Sequence, residues 1–119
     1  MTVLLTGGAG YIGSHVAVEL LQSGYDVIIA DNFYNSSQEV PERIRKITGK
    51  SVRTYNVDIQ NSADLEQIFK RHEINAVMHF AGYKAVGESV QQPLKYYRGN
   101  LDSTLTLLET MGKNQVKNL

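Results

Sequence analysis

Three glycines near the start of the chain have the spacing of a phosphate-binding loop. Gly7, Gly10 and Gly13 follow an apolar run and open an amphipathic stretch in the pattern G-x-x-G-x-x-G. Gly7 permits a tight turn, Gly10 lets a ligand approach the backbone, and Gly13 lets the next helix pack closely. The pattern therefore predicts that the N–H groups of Tyr11 and Ile12, at a helix start, hold the pyrophosphate of a dinucleotide. The spacing alone also fits a ligand-free turn, but its place between a strand and a helix favours the binding site.

An aspartate stands where such a site needs a carboxylate. Asp31 ends the second apolar run, eighteen residues after the last glycine of the loop. A carboxylate there accepts both ribose hydroxyls and repels a 2′-phosphate, so NAD is predicted rather than NADP. A solvent-facing loop aspartate is the plainer alternative. Four further polar residues fit either hydrogen bonds to the ribose or adenine, or ordinary turns: Asn32, Asn35, Ser36 and Asp58.

The elements that must position these residues alternate between two patterns. Continuous apolar runs are typical of parallel strands that are covered on both faces. Helical stretches lie between them, which predicts right-handed βαβ units. We therefore predict an α/β fold, a Rossmann-like doubly wound parallel sheet, with strands at Val3–Leu5, Val27–Ala30, Ser51–Tyr55 and Ala76–Phe80.

The helical stretches have apolar spacing and boundary signals. Gly24 is predicted to stop the first helix, Asn61 or Ser62 to cap the third, and Pro93 to occupy the first turn of the last. The predicted inner faces, in chain order, are Ile12, Val16, Leu20 and Leu21; Ile44 and Ile47; Leu65, Ile68 and Phe69; and Leu94, Tyr97, Leu101, Leu105 and Leu108.

The final residues resemble the approach to a further strand. Val116–Leu119 follow the last helical stretch, and the sequence ends there. We therefore expect residues 1–119 to be one incomplete nucleotide-binding domain, truncated before strand five.

Composition excludes several classes of function. The formal net charge is zero, so no net electrostatic field favours binding to nucleic acid or to an anionic membrane. A small basic cluster in residues 43–53 is expected to be a solvated helix face. No apolar run approaches the ~20 residues of a membrane helix. The three histidines lie far apart and there is no cysteine, so no metal site is predicted. A cytoplasmic protein is expected.

Three stretches resemble one family. They are Thr6–His15, Asp31–Ser36 and His79–Ser89. The chain resembles the UDP-glucose 4-epimerases of the extended short-chain dehydrogenase/reductase superfamily, over their N-terminal portion. Dehydratases and reductases of the superfamily usually keep the equivalent of Ala81-Gly82 but not the run Lys84–Ser89.

The resemblance implies a role for each matching residue. It implies contacts of Tyr11 and Ile12 with the pyrophosphate, and of the residues from Asp31 to Ser36 with the adenosine ribose. On spacing alone Lys84 would be a solvated loop lysine, whereas the resemblance implies that its charge reaches the cofactor. The remaining implied cofactor contacts are Asp58 and Ile59 at the adenine, Phe80, Ala81 and Gly82 after strand four, and Asn100 from the last helix.

The chain departs from the family at the last helix. Family members often carry an asparagine pair followed by Gly-Thr, where this chain has Gly99-Asn100 and Ser103-Thr104. A cofactor contact from a side chain at position 99 is therefore not available. A glycine inside a helix also costs up to about 1 kcal/mol relative to alanine.

The family's chemistry needs a tyrosine four residues before a lysine. The resemblance implies that this tyrosine takes the proton of the sugar 4-hydroxyl while NAD takes hydride, giving a 4-keto sugar. None of the seven tyrosines here has a lysine four residues later. We therefore predict no catalytic residue in this chain and an inactive fragment. A UDP-sugar is expected as substrate only in the complete enzyme, and a homodimer is the oligomer considered. A sugar-nucleotide dehydratase or reductase and a non-enzymatic NAD-binding module are the alternatives.

Overall fold

Four parallel strands form the centre of the molecule. The computed structural model describes residues 1–119 and contains a single sheet with the strand order β3-β2-β1-β4. All three strand pairs are parallel. This order confirms the predicted Rossmann-like sheet. The strands are β1 (Thr2–Thr6), β2 (Asp26–Asp31), β3 (Arg53–Asn56) and β4 (Ala76–His79).

Helices cover both faces of the sheet. One layer packs α1 and α2 against the face that carries Leu5 and Ile29, and the other packs α3 and α6 against the face that carries Leu4 and Val77. Because both faces are covered, the central strands have continuous apolar interiors, Val3–Leu5 in β1 and Val27–Ala30 in β2, as predicted. The helices are α1 (Tyr11–Gln22), α2 (Val40–Thr48), α3 (Ser62–Arg71), α4 (Val86–Gln91), α5 (Pro93–Tyr97) and α6 (Ser103–Lys113), with a π-helical turn (Arg98–Asp102) between α5 and α6.

The predicted boundary signals act where expected. Gly24 follows the end of α1 at φ +89°, where its N–H donates to Leu21 O and that of Tyr25 donates to Leu20 O, which is a Schellman motif. The Asn61 side chain caps α3 by accepting from the Asp64 N–H at 3.2 Å. Pro93 is the first residue of α5.

Three predicted inner faces need correction, beginning with those of α1 and α2. In α1 the buried residues are Gly13, Ala17 and Leu21, whereas Ile12, in the first turn, is 54% exposed. In α2 only Ile44 is buried, and Ile47 is 64% exposed. The predicted ends of β3 and β4 also differ by one or two residues from the observed ones.

The last helix turns a different face inward from the one predicted. The predicted stripe is exposed along its whole length: Leu94, Tyr97, Leu101, Leu105 and Leu108. The buried residues of α6 are Ser103, Leu107, Thr110 and Met111. The Thr110 hydroxyl donates to Thr106 O at 2.8 Å within its own helix, so this polar residue is buried at little cost. This segment therefore has two stripes: a wholly apolar one that faces solvent and a mixed one that faces the core.

β4 forms one edge of the sheet. The C-terminal segment lies beside it, with the Val77 N–H donating to Asn118 O at 2.9 Å. Residues 116–119 form no strand of their own and make this one backbone hydrogen bond to β4. No helix is long and apolar enough to cross a bilayer.

Candidate functional site

The carboxyl ends of the strands open into one large cleft. The chain order reverses at β1, which has β2 on one side and β4 on the other. Ligands of open α/β sheets bind at such a point, outside the carboxyl ends of the strands. The cleft has a volume of about 820 Å³, within the usual range for small-molecule sites.

The structure brings the predicted cofactor residues together at this cleft. Every one of them lines it except Asn100. The lining residues that the sequence predicted are Gly7, Gly10, Tyr11, Ile12, Gly13, Asp31, Asn32, Asn35, Ser36, Asp58, Ile59, Phe80, Ala81, Gly82 and Lys84. Their convergence from four separate segments is a property of the fold.

The glycine loop forms a tight turn that exposes backbone donors. Gly7 has φ +68°, a conformation that favours glycine, and its O accepts from the Gly10 N–H at 3.1 Å. The first bond of α1 runs from the Ser14 N–H to Gly10 O, and no protein acceptor meets the N–H groups of Tyr11 and Ile12. The loop therefore presents free donors at a helix N-terminus, the arrangement that suits an anion.

Gly13 is needed for space. A Cβ built at this position would lie 2.5 Å from Gly7 O and 2.8 Å from Gly8 Cα. The close packing predicted for Gly13 is thus between the first turn of α1 and the backbone of the glycine loop. Any side chain at position 13 would push α1 away from the loop that it completes.

The Asp31 side chain connects the glycine loop to the end of β2 by a hydrogen bond. Its side chain is buried, and Oδ2 accepts from the Ala9 N–H at 3.0 Å. Oδ1 accepts from the Phe33 N–H at 2.8 Å and, more weakly, from the Ser36 hydroxyl at 3.4 Å. A carboxylate has about four lone-pair sites, so this group retains accepting capacity towards the cleft.

The adenine-end candidates occupy the loop after β3. Asp58 Oδ1 accepts from the Gln60 N–H at 2.9 Å, which is the turn role that the sequence left open. The neighbouring Ile59 is buried in the core and also borders the cleft. Together they give this end an apolar wall with a carboxylate at its rim.

His79 lies beneath the β4 side of the cleft in a chain of hydrogen bonds. Its Nδ1 is 2.6 Å from the hydroxyl of Thr6, and its Nε2 is 3.2 Å from that of Thr104. Since the Thr104 hydroxyl donates to Asn100 O at 2.8 Å, it accepts from His79 Nε2–H, and Nδ1 accepts from Thr6. Burial, and then the charge of Lys84, lower the pKa of His79, which favours this neutral form.

Asn100 holds the loop after β4. Its Oδ1 accepts from the Tyr83 N–H at 2.7 Å, and its Nδ2 donates to Tyr83 O at 3.0 Å. The side chain does face inward from its helix, as the sequence suggested, but both of its polar atoms are used by this backbone.

A tyrosine cluster at the cleft was missed by the sequence analysis. Tyr34, Tyr83 and Tyr96 line the cleft, with ring centroids 5.6 Å apart for Tyr34–Tyr83 and 5.4 Å for Tyr83–Tyr96. Lys95 pairs with Glu88 at 2.7 Å, which lowers the pKa of Glu88 and raises that of Lys95. Only the number of tyrosines in the sequence hinted at this cluster, since its members lie far apart along the chain.

These features define a class of protein. A parallel sheet with a glycine loop after its first strand and a carboxylate after its second is a Rossmann-type dinucleotide-binding domain. The NAD dependent epimerase/dehydratase family matches residues 3–119. The chain belongs to that family.

Individual relatives narrow the resemblance. The chain is 54% identical over 116 residues to a UDP-glucose 4-epimerase of Schizosaccharomyces pombe, covering 98% of this chain and 33% of the relative. It is 56% identical over 113 residues to the UDP-glucose 4-epimerase of Neisseria gonorrhoeae, covering 95% and 33%. The resemblance predicted from the three sequence stretches is confirmed.

A solved structure shares the fold closely. The UDP-glucose 4-epimerase from Bifidobacterium longum, in complex with NAD+ and UDP, superposes with a TM-score of 0.97 at 53% identity, covering 98% of this chain and 35% of that one. The chain thus spans about a third of the length of the relatives that it matches.

Proposed function

We propose that this chain is the NAD-binding part of a UDP-glucose 4-epimerase, which interconverts UDP-glucose and UDP-galactose through a 4-keto intermediate. The observation that carries the proposal is the cleft at the reversal of strand order, which is lined both by residues with free N–H donors and by a buried carboxylate. The high identity to UDP-glucose 4-epimerases supports the assignment of the reaction.

The residues of the chain fit NAD from end to end. The N–H groups of Tyr11 and Ile12, with the dipole of α1, hold the diphosphate without an arginine or lysine. Asp31 accepts from the ribose hydroxyls, and Ile59 packs against the adenine. Lys84, exposed at the rim after β4, supplies the positive charge at the other end. NAD, once bound, supplies the hydride acceptor.

The catalytic base lies outside these residues. No tyrosine of the chain precedes a lysine by four positions, so we expect the 119 residues alone to bind cofactor and to catalyse nothing. The activity and the UDP-sugar site belong to a longer protein that includes this sequence. Assaying that protein with UDP-galactose and with dTDP-glucose tests the proposal. Conversion of the first supports an epimerase, and dehydration of the second would show the sibling activity that the family also contains.

The charge of Asp31 gives the sharpest test of the cofactor. Asp31→Asn keeps one oxygen acceptor and removes the charge that repels a 2′-phosphate. We expect the preference for NAD over NADP to fall by roughly tenfold in calorimetric titrations. Asp26→Asn, at the exposed opposite end of β2, is the matched control and should leave the preference unchanged. An equal loss of affinity for both cofactors in Asp31→Asn would refute the ribose role.

A further inference from the structure

Gly99 forms a notch that one tyrosine ring fills. A Cβ built at position 99 would overlap Cε2 of Tyr83 and would lie 2.7 Å from its Cδ2. The backbone of Gly99 has no positive φ, so conformation does not require glycine here. Glycine at this position therefore serves the fit of the Tyr83 ring against the π-helical turn.

The same turn also fixes the backbone of Tyr83. Asn100, next to Gly99, both accepts from the Tyr83 N–H and donates to its O, at 2.7 and 3.0 Å. Ring and backbone are thus held by adjacent residues of one turn. Because both the ring and the backbone of Tyr83 are already ordered, additional contacts of this side chain cost little further conformational entropy.

From its position against Gly99, the Tyr83 ring reaches the opposite wall of the cleft. Tyr83 belongs to the loop after β4, and Tyr34 belongs to the loop after β2, which also carries Asn35 and Ser36. The two rings meet edge to face with their centroids 5.6 Å apart. The contact joins two walls that no strand pairing connects, since β1 lies between β2 and β4.

A lysine reinforces the contact from one side. Lys95 Nζ lies 4.7 Å from the centroid of the Tyr83 ring and 5.0 Å from that of Tyr34. It also donates to the Tyr34 hydroxyl at 2.9 Å and to Glu88 at 2.7 Å. The Lys95 ammonium group therefore contacts both tyrosines, Tyr34 and Tyr83.

We propose that Tyr83, seated against Gly99, is a positioning residue that bridges the two walls of the cleft and thereby slows the release of bound NAD. The inference rests on the proposed NAD-binding function. A contact across the cleft hinders both the entry and the departure of a ligand, so its loss changes the dissociation rate more than the equilibrium affinity. Gly99 and Tyr83 act as one unit, because the notch matters only while the ring occupies it.

The dissociation rate of a fluorescent etheno-adenine analogue of NAD, chased with excess NAD in stopped flow, tests the bridge. Tyr83→Leu removes the ring and leaves its backbone bonds to Asn100 possible. We expect dissociation roughly tenfold faster, the loss of one aromatic and one cation contact. Lys95→Met leaves the notch intact and should give a smaller acceleration. Tyr97→Leu, an exposed tyrosine of the same helix, is the control and should match the unmodified chain.

The coupling between the two positions separates this role from general stability. Gly99→Ala should accelerate dissociation by expelling the ring, and should add little in the Tyr83→Leu background, where there is no ring to expel. Equal effects of Gly99→Ala in both backgrounds, or an unchanged dissociation rate in both Tyr83→Leu and Lys95→Met, would overturn the proposal. Failure of the unmodified chain to bind the analogue at all would instead contradict the proposed function.

Discussion

His79 shows how one side chain links the core to the cleft. It connects the end of β1 at Thr6 with α6 at Thr104, and Thr6 is completely buried. The hydrogen bonds run in one direction along this chain, which requires neutral imidazole. The residue therefore acts in the fold beneath the cleft and is a source of pH dependence in stability.

The lowered pKa of His79 predicts a loss of stability in acid. Above its usual value of 6.5 the side chain is neutral in both states and contributes no slope. As pH falls below that value the unfolded chain takes up a proton that the native state resists, so the free energy of unfolding decreases until the native pKa is passed. Urea unfolding between about pH 5 and 7 should show this slope.

His79→Gln provides the comparison. It removes the titrating group while keeping a side chain that can both donate and accept, and so should flatten the dependence. It should also lower stability by about 1 to 3 kcal/mol at neutral pH if Thr6 loses its partner. An identical pH slope in the variant and the unmodified chain would assign the dependence to other groups.

At the level of single residues, the sequence located most of the residues that the structure places at the cleft. The glycine spacing and Asp31 could be recognised because a turn, a helix start and a carboxylate have fixed places in a βαβ unit. The hydrogen bond from the Ala9 N–H to Asp31 could not be predicted, since it joins residues 22 positions apart. The tyrosine bridge was equally hidden, because an aromatic contact between loops leaves no periodic pattern.

Among the elements, the end of α1 depends on a single conformation. Gly24 has φ +89° and no atom within 4 Å of a built Cβ, so replacing it carries a conformational cost only. Gly24→Ala should destabilise the chain by about 1 kcal/mol. Gly112→Ala is the matched control, because Gly112 is helical with equally open surroundings, and should be neutral or stabilising. Thermal unfolding of both variants measures this difference, and equal shifts would contradict the cap.

The last helix shows why elements are easier to predict than their orientation. The periodicity located a helix from Pro93 onward, and the structure has helical residues from there to Lys113. The predicted inner face was wrong because this segment has two stripes of residues on different sides, one apolar and one mixed. Packing against α3 and the sheet buries Leu107 and Met111 instead. The π-helical turn also has more residues per turn than an α-helix. It therefore shifts the helix face relative to the one predicted from regular α-helical spacing.

On the scale of the whole molecule, two surfaces predict self-association. The apolar stripe on α5, the π-helical turn and α6 is exposed, and the outer edge of β4 is covered only near Val77. A contiguous apolar patch and an open strand edge are both uncommon on stable monomers. We expect the 119-residue chain to associate as its concentration rises.

Sedimentation velocity tests the contribution of the stripe. The double variant Leu101→Gln, Leu105→Gln should shift the distribution towards monomer at concentrations where the unmodified chain associates. Ile47→Gln, which replaces an equally exposed isoleucine on the opposite layer, is the control and should have no effect. A monomeric unmodified chain at high concentration would contradict the expectation.

The central claim is that the cleft after β1, β2 and β4 holds NAD through the glycine loop. Calorimetric titration of the chain with NAD, in parallel with NADP and with the Gly10→Val variant, tests it most directly. We predict saturable binding of NAD at one site, weaker binding of NADP, and none by Gly10→Val. A Cβ built at position 10 lies 3.2 Å from Gly7 O, so the larger valine side chain would crowd the loop that presents the free N–H groups. Binding of NAD that Gly10→Val leaves unchanged, or no binding by a chain that circular dichroism shows to be folded, would contradict the account.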